Sequence, residues 1–202
     1  MPFSVYKTLG AVATEFQIEY TVAEFVRELS FAVPLGFQEE LDLLLSDGVV
    51  DNSEAAICEA LIYPILKEVW KFYRHQFTLW SHQTLSYSEQ LFGQPNYILA
   101  KRSPLGTVVF DQPYFLVVEA KQDKFEEGWG QCLAELIAVQ GLNNQSIQTL
   151  FGMVSNGKIW QFGRLENQKF TRNKRFYSIQ ELTSLFGAVN FVFNECQQQL
   201  QL

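Results

Sequence analysis

The order of apolar and polar positions divides the chain into a helical beginning and a strand-rich remainder. Residues 23–29 and 37–45 show helical spacing and predict two short amphipathic helices, with Pro34 and Gly36 between them. A third and longer helix is expected over residues 53–73, because apolar side chains recur there at every fourth position. The chain is therefore expected to begin with helices.

The third predicted helix carries signals for its start and its shape. Asp51 is followed three residues later by Glu54, which is the spacing of a capping box. Pro64 lies inside the helix, lacks a backbone donor and predicts a kink. The helix has one clear apolar face, which is formed by Ile57, Leu61, Ile65 and Val69.

Beyond residue 76 the pattern becomes that of strands. Strands are predicted over residues 77–87, 96–101, 107–110, 114–121, 149–154 and 158–162. Residues 115–118 form a continuous apolar run, which is typical of a strand buried on both faces. Asn156-Gly157 is the strongest short signal of a hairpin turn and lies between the last two strands.

Two further helices complete the predicted fold. Residues 125–140 predict a helix between the strands 114–121 and 149–154, and such a crossover makes these two strands parallel. Ser178 and Glu181 have the spacing of a capping box and predict the start of a terminal helix. A chain of 202 residues fits one domain. The expected fold class is therefore α/β, with a mixed β-sheet flanked by helices.

The net charge of −7 argues at first against a nucleic-acid partner. The charge is unevenly distributed, because residues 1–60 carry two basic and eleven acidic residues. Residues 61–202 carry thirteen basic and eleven acidic residues and are mildly basic. Net charge therefore does not exclude binding of a nucleic acid by the second part of the chain.

The sequence predicts a cytoplasmic protein without a membrane partner. Residues 1–16 lack the basic start and long apolar stretch of a signal peptide, and no apolar run approaches the roughly 20 residues of a membrane span. The three cysteines are widely spaced, which is typical of reduced thiols. His75 and His82 complete no zinc-ligand spacing with them.

The strand predicted over residues 114–121 ends in Glu119 and Lys121. Residues two apart on a strand share a face, so the two side chains are expected to project together. Such a pair suits phosphodiester hydrolysis, since the carboxylate can hold Mg²⁺ and the lysine can orient the attacking water or neutralise the developing charge. Pro95-Asn96 opens the preceding strand, 23 residues before Glu119.

With these residues the chain resembles the PD-(D/E)XK nuclease superfamily, which has the restriction-endonuclease-like fold. The resemblance covers about residues 51–163 and is carried mainly by residues 116–121 and 154–160. Within the superfamily the chain looks most like small uncharacterised bacterial proteins. The resemblance implies a restriction-endonuclease-like domain over residues 51–202, preceded by a small acidic helical addition over residues 1–50.

The resemblance also implies roles for individual residues. Glu119 would be a metal ligand, with Mg²⁺ or Mn²⁺ as the cofactor, and Lys121 would be the catalytic lysine. A glutamate on the first helix of the family's core often assists, and Glu54 and Glu59 are the candidates here. Each has an alternative, because Glu54 fits the capping box and Glu59 lies between the apolar rows, where it fits a solvated side chain.

The chain departs from the family pattern at two places. The family has an aspartate as its principal metal ligand where this chain has Asn96, which lacks the negative charge that a hard dication prefers. Asp111 is a candidate substitute, although its sequence context is that of a turn. Some members place a glutamine and a tyrosine four residues apart on the following helix; Gln131 matches the glutamine, whereas Glu135 replaces the tyrosine.

Basic residues outside this motif are candidates for contact with nucleic acid. They are Lys101, Arg102, Lys158, Arg172, Lys174 and Arg175. Aromatic residues are interleaved with the last four, which suits binding of a nucleic-acid strand. The alternative is an ordinary solvated hairpin and loop with aromatic residues in the core.

Two functions from different classes follow. The first is a Mg²⁺-dependent nuclease that hydrolyses DNA, weakened or decayed because Asn96 replaces the metal-binding aspartate. The second is a catalytically inactive protein of the same fold that binds nucleic acid or protein as a regulatory module. A protein partner or a homodimer is compatible with either function.

Overall fold

The computed structural model describes residues 2–144 and 149–200 of the chain. Its α-helices are α1 (Leu9–Phe16), α2 (Phe37–Asp47), α3 (Glu54–Ile57), α4 (Tyr63–Tyr73), α5 (Phe125–Leu142) and α6 (Leu182–Gln199). Its strands are β1 (Glu19–Ala23), β2 (Phe77–Ser81), β3 (Leu85–Ser86), β4 (Phe92–Gly93), β5 (Tyr97–Lys101), β6 (Tyr114–Ala120), β7 (Leu150–Ser155), β8 (Ile159–Glu166), β9 (Lys169–Asn173) and β10 (Tyr177–Ser178). A single 3₁₀ turn, Phe3–Val5, precedes α1.

The strands form a mixed sheet in the order β1-β9-β8-β7-β6-β5-β2, with β10 paired to β8. Strands β6 and β7 are parallel and are connected through α5, so the predicted crossover is confirmed. Strand β1 also runs parallel to its neighbour β9, and the remaining pairs in this sheet are antiparallel. The predicted mixed α/β architecture is confirmed.

Helices cover both faces of the sheet. A side chain added at Gly152 of β7 would meet Cys132 of α5, so this helix packs directly on the central strands. On the opposite face, the Tyr97 hydroxyl of β5 donates to the backbone oxygen of Cys58, in the segment that leads into α4. Helix α4 packs in turn against α6, where the Tyr73 hydroxyl donates to the side chain of Asn190.

The prediction of a helix over residues 23–29 is wrong. Residues Glu19–Ala23 form β1, and the chain after it is extended, with Phe25 and Val26 both donating to the side-chain oxygen of Asn173. Backbone N–H groups that a helix would satisfy internally are satisfied here by other elements, by Asn173 of β9 and, for Leu29, by the carbonyl of Gly187 in α6. The second predicted helix is confirmed as α2. The first 50 residues thus add a strand as well as helices, and a domain division at residue 50 stays a prediction.

The long helix predicted over residues 53–73 is interrupted. Its N-cap is Ser53, whose hydroxyl accepts from Ala56 at 3.1 Å, so the predicted capping role of Asp51 is wrong. A π-helical turn, Cys58–Ile62, separates α3 from α4, and Pro64 lies in the first turn of α4. Because proline has no N–H and its ring displaces the carbonyl one turn earlier, the helix widens before it.

Three predictions about later elements also differ from the structure. Residues 107–110 belong to the loop between β5 and β6 and are not a strand. The predicted strand over residues 77–87 ends at Ser81, because His82 adopts a positive φ of 51°. Helix α6 begins without the predicted capping box, since the Ser178 hydroxyl accepts from Gln180 instead.

The hairpin predicted at Asn156-Gly157 is confirmed between β7 and β8. Gly157 adopts a φ of 82°, which L side chains rarely adopt, and the Asn156 side-chain oxygen accepts from the backbone of Lys158 and Ile159. The expected thiols are also present, since all three cysteines are buried and free. Among the helices that the structure describes, none has the length and apolar content of a membrane span.

Candidate functional site

Strand β6 places Glu119 and Lys121 side by side at the end of the central sheet. The two residues are almost fully buried, at 1% and 7% exposure, and Glu119 Oε2 lies 3.7 Å from Lys121 Nζ. Buried charges are unfavourable unless they are paired. The two residues that the sequence singled out therefore share one interior site.

Glu54 brings a second carboxylate to this lysine. It is the first residue of α3, and both of its carboxylate oxygens lie 3.2 Å from Lys121 Nζ. Burial alone would lower the pKa of Lys121, but the carboxylates of Glu119 and Glu54 outweigh burial and raise it. The lysine is therefore held as a cation between two carboxylates from different elements.

Helix α5 contributes the other side of the site through Gln131 and Glu135. The Gln131 side-chain amide donates to Glu119 Oε1 at 3.1 Å and lies 3.4 Å from Glu135 Oε1. Glu135 is fully buried, and its Oε2 has no hydrogen-bond partner in the part of the chain that the structure describes. One amide thus bridges two buried carboxyl groups.

Burial dominates the protonation of these two carboxyl groups. It raises the pKa of Glu119 to about 7, although a hydrogen bond with the Glu135 side chain and the positive charge of Lys121 act in the opposite direction. Burial also raises the pKa of Glu135 well above its usual range, and the nearby Glu119 raises it further. The site therefore holds more protons near neutral pH than two exposed carboxylates would.

Asn96 reaches the same place from the start of β5. Its side-chain oxygen accepts from the backbone N–H of Ala120 at 2.8 Å, and its Nδ2 lies 3.4 Å from His82 Nε2. The Asn96 backbone also hydrogen-bonds to Glu119 and lowers the pKa of that carboxyl group. The amide oxygen that would replace an aspartate ligand is thus already bonded to the end of β6.

The side chains present do not fit a divalent cation in this arrangement. The part of the chain that the structure describes contains no group of three or more His, Cys, Asp or Glu side chains that could hold a metal ion. The ammonium of Lys121 lies 3.2 Å from a Glu54 oxygen and 3.7 Å from a Glu119 oxygen, so it would repel a dication bound to Glu119. Asn96 adds no negative charge to offset this.

Two other candidates from the sequence lie elsewhere. Glu59 is exposed on the π-helical turn, and no hydrogen bond or ion pair joins it to Glu119 or Lys121. The side chain of Asp111 accepts from Gln112, as expected for a turn, and it lies before the start of β6, whereas Glu119 lies near the other end of that strand. Of the assisting glutamates, the structure brings only Glu54 to the site.

The basic residues proposed to contact nucleic acid are distributed over the surface. Lys101 and Arg102 lie beside an open cavity of about 490 Å³ at the end of β5 that is remote from Asn96. The other four lie elsewhere, on the hairpin or at the opposite edge of the sheet: Lys158, Arg172, Lys174 and Arg175. Two of these four cations are already in ion pairs, Lys158 with Asp51 and Arg175 with Glu28.

Sequence reasoning missed Glu135 and His82 as members of this site. The sequence singles out Glu135 only as the replacement for a tyrosine, yet it is buried beside Glu119. A signal was present, because a glutamate four residues after Gln131 follows it along one side of a largely apolar helix. No such signal existed for His82, since its approach to Asn96 depends on the turn that ends β2.

No protein-family model matches this chain, and no curated protein matches it. Among solved structures, the chain is similar to the type IIG restriction endonuclease BpuSI, with a TM-score of 0.40 and 13% sequence identity. The match covers 69% of this chain and 16% of that one, so the chain spans about a sixth of the length of that structure. A likeness at this TM-score carries no argument about the activity of this chain.

Proposed function

We propose that this chain is a nuclease-like protein that no longer hydrolyses phosphodiesters and acts as a binding or regulatory module. The observation that carries the proposal is the arrangement of Asn96. Its side-chain oxygen is bonded to Ala120, and it brings no charge to a site whose two nearest carboxylates already hold Lys121. A dication at this position would have to displace the lysine and gain little in return.

Most of the charged and polar side chains of the site are paired with one another. Lys121 lies between Glu54 and Glu119 and offsets one negative charge, while Gln131 donates to Glu119 and lies 3.4 Å from Glu135 Oε1. A lysine held in this way is not free to orient a water molecule for attack on phosphorus. The proposed binding role therefore belongs to the surface of the protein and does not use these side chains as reactants.

A second candidate is weak hydrolysis of DNA that depends on Mg²⁺ or Mn²⁺. It is favoured by the convergence of Glu54, Glu119, Lys121 and Gln131, which brings carboxylates, an ammonium and an amide within hydrogen-bonding distance of one another. In this case Glu119 and Asn96 would hold the metal ion and Lys121 would act on the attacking water. The metal would have to be acquired together with a rearrangement of Lys121.

A cleavage assay separates the two candidates. Single- and double-stranded DNA are incubated with Mg²⁺ or Mn²⁺ and with the wild type, Asn96→Asp or Lys121→Ala. We expect no cleavage by the wild type above the level of Lys121→Ala, and cleavage by Asn96→Asp if only the aspartate has been lost. The control is Asn52→Asp, which adds the same charge at an exposed position. Wild-type cleavage that Lys121→Ala abolishes would overturn the proposal.

DNA is the partner that we propose to test first, through the six basic residues named above. Each contact between a basic side chain and a phosphate releases counterions from the DNA. If these residues contact phosphates, replacing them should make the affinity depend less steeply on salt concentration. The measurement is the affinity for an oligonucleotide at several salt concentrations. If the protein does not bind DNA at low salt, the proposed partner is instead another protein or a second copy of this chain.

A further inference from the structure

A groove beside the outer edge of the sheet contains an arginine without an acidic partner. Arg172 lies on β9, where it pairs with Val22 of the edge strand β1. Among the described residues its guanidinium makes no ion pair and no hydrogen bond, and its Nε is buried without a partner. A partly buried cationic donor without an acceptor is unfavourable, so an anionic acceptor would stabilise it.

This arginine lines a cavity of about 280 Å³ between the sheet edge and two helices. Leu9, Gly10 and Ala13 of α1 form an apolar wall. A Cβ added at Gly10 would meet no atom within 4 Å, so the glycine leaves open space on that side. The volume is near the lower limit for ligand sites and accommodates a compound of one or two rings.

An aromatic ring forms another wall of the cavity. Tyr20 is 42% exposed and stacks on the buried Phe170, with their ring centroids 6.4 Å apart. The Arg172 guanidinium carbon lies 6.0 Å from the Tyr20 ring centroid. The guanidinium lies over the ring, so a flat ligand that contacts the exposed part of Tyr20 would bring its anionic group to the arginine.

A carboxylate completes the polar part of the cavity. One oxygen of Glu126 accepts from the backbone N–H of Leu9 at 3.2 Å, which leaves its second oxygen available. Glu126 and Arg172 both line the cavity but form no ion pair with each other. The cavity thus offers a cation, a separate hydrogen-bond acceptor and an aromatic face.

We propose that this cavity binds a small planar anion, namely an aromatic or heteroaromatic ring that bears a carboxylate or phosphate group and an N–H donor. The anionic group pairs with Arg172, the ring lies on Tyr20, and the donor bonds to the second oxygen of Glu126. This inference does not depend on the proposed function, because the walls of the cavity share no residue with the site around Glu119 and share only Arg172 with the six residues proposed to contact DNA.

Isothermal titration calorimetry with two anions and their neutral counterparts tests this proposal. The carboxylate probe is 4-aminobenzoate, compared with 4-aminobenzamide, and the phosphate probe is cytidine 5′-monophosphate, compared with cytidine. We expect saturable binding of at least one anion, and binding of its neutral counterpart that is weaker by about tenfold or more, because a charge-assisted hydrogen bond is lost. The probe that binds identifies the anionic group.

Two variants locate the binding. Arg172→Gln should weaken it by about tenfold or more, and Gly10→Leu should abolish it by filling the cavity. The matched controls are Arg74→Gln, at an exposed arginine on the end of α4, and Gly10→Ala, which leaves most of the space open. Thermal unfolding of each variant verifies that it is folded. Failure of both anions to bind at millimolar concentration, or binding that neither Arg172→Gln nor Gly10→Leu changes, would overturn the proposal.

Discussion

The two ends of β6 carry buried polar groups of very different kinds. At its start, the Asn143 side chain from the end of α5 makes two hydrogen bonds to the backbone of Tyr114, at 2.9 Å to the N–H and 2.7 Å to the carbonyl oxygen. Both hydrogen bonds join neutral groups, both are buried, and they satisfy the N–H and the carbonyl of Tyr114. They attach a helix to a strand and have no evident further use.

At the other end of β6 the buried groups are charged and incompletely paired. Glu119 and Lys121 are 3.7 Å apart, and Glu135 has one oxygen without a partner among the described residues. Natural proteins satisfy nearly all of their buried polar groups, and exceptions concentrate at functional sites. Packing therefore accounts for the Asn143 end, whereas the buried charges at the Glu119 end are not expected to stabilise the fold.

Replacing Asn143 should produce the largest loss of stability. Asn143→Leu leaves the N–H and carbonyl of Tyr114 buried without partners, so we expect the free energy of unfolding to fall by about 3 kcal/mol. Denaturant unfolding measures this change. Gln140→Leu is the control, because Gln140 makes a single exposed bond to Asn167 and its loss should change stability by less than about 1 kcal/mol. Equal effects of the two variants would contradict the structural role of Asn143.

The charged end of β6 should make stability depend on pH. Burial raises the pKa of Glu119 from 4.5 to about 7, so between these values the folded state binds more protons than the unfolded state. Stability from this group is complete at low pH and is lost as the pH rises toward 7. Relative to Glu119→Gln, the wild type should lose about 2 kcal/mol between about pH 5 and 7.

Unfolding by denaturant at several pH values provides this comparison. The sign is the opposite of that for a salt-bridged surface carboxylate, whose stabilising effect is lost as the pH falls. Glu119→Gln removes the titrating group and should therefore give a flatter curve. Parallel curves for the wild type and the variant would show that Glu119 does not titrate in this range in the folded protein.

The central fold could be predicted because its signals are local. The apolar run of β6, the helix after it and Asn156-Gly157 each specify their own element, and the parallel pairing of β6 with β7 follows from the helix between them. The first 36 residues were harder, because Glu19–Ala23 becomes a strand only by pairing with a segment about 150 positions later. Such long-range pairing leaves little trace in the local pattern.

The candidate site, like the fold, was predictable only where its residues are placed by a local signal. Glu119 and Lys121 are placed by the alternation of a single strand, which the sequence displays directly. Glu54 contacts Lys121 only because the start of α3 lies against the end of β6. The local sequence pattern does not predict this packing, and only the family resemblance indicated it. The bond from Ala120 to Asn96 depends on the path of the turn before β5, which no spacing in the chain predicts.

The smallest expected effect, and the most diagnostic, concerns Glu135. Glu135→Met removes a fully buried carboxyl group with one unpartnered oxygen and replaces it with an apolar side chain of similar length. If the charged end of β6 adds nothing to stability, this change should leave the protein as stable as the wild type or stabilise it by about 1 kcal/mol, because burying an incompletely paired carboxyl group opposes folding. Leu136→Met, a neighbouring replacement in the core, is the control for packing. A loss above about 2 kcal/mol in Glu135→Met would instead mean that the carboxyl pair stabilises the fold, as Asn143 does.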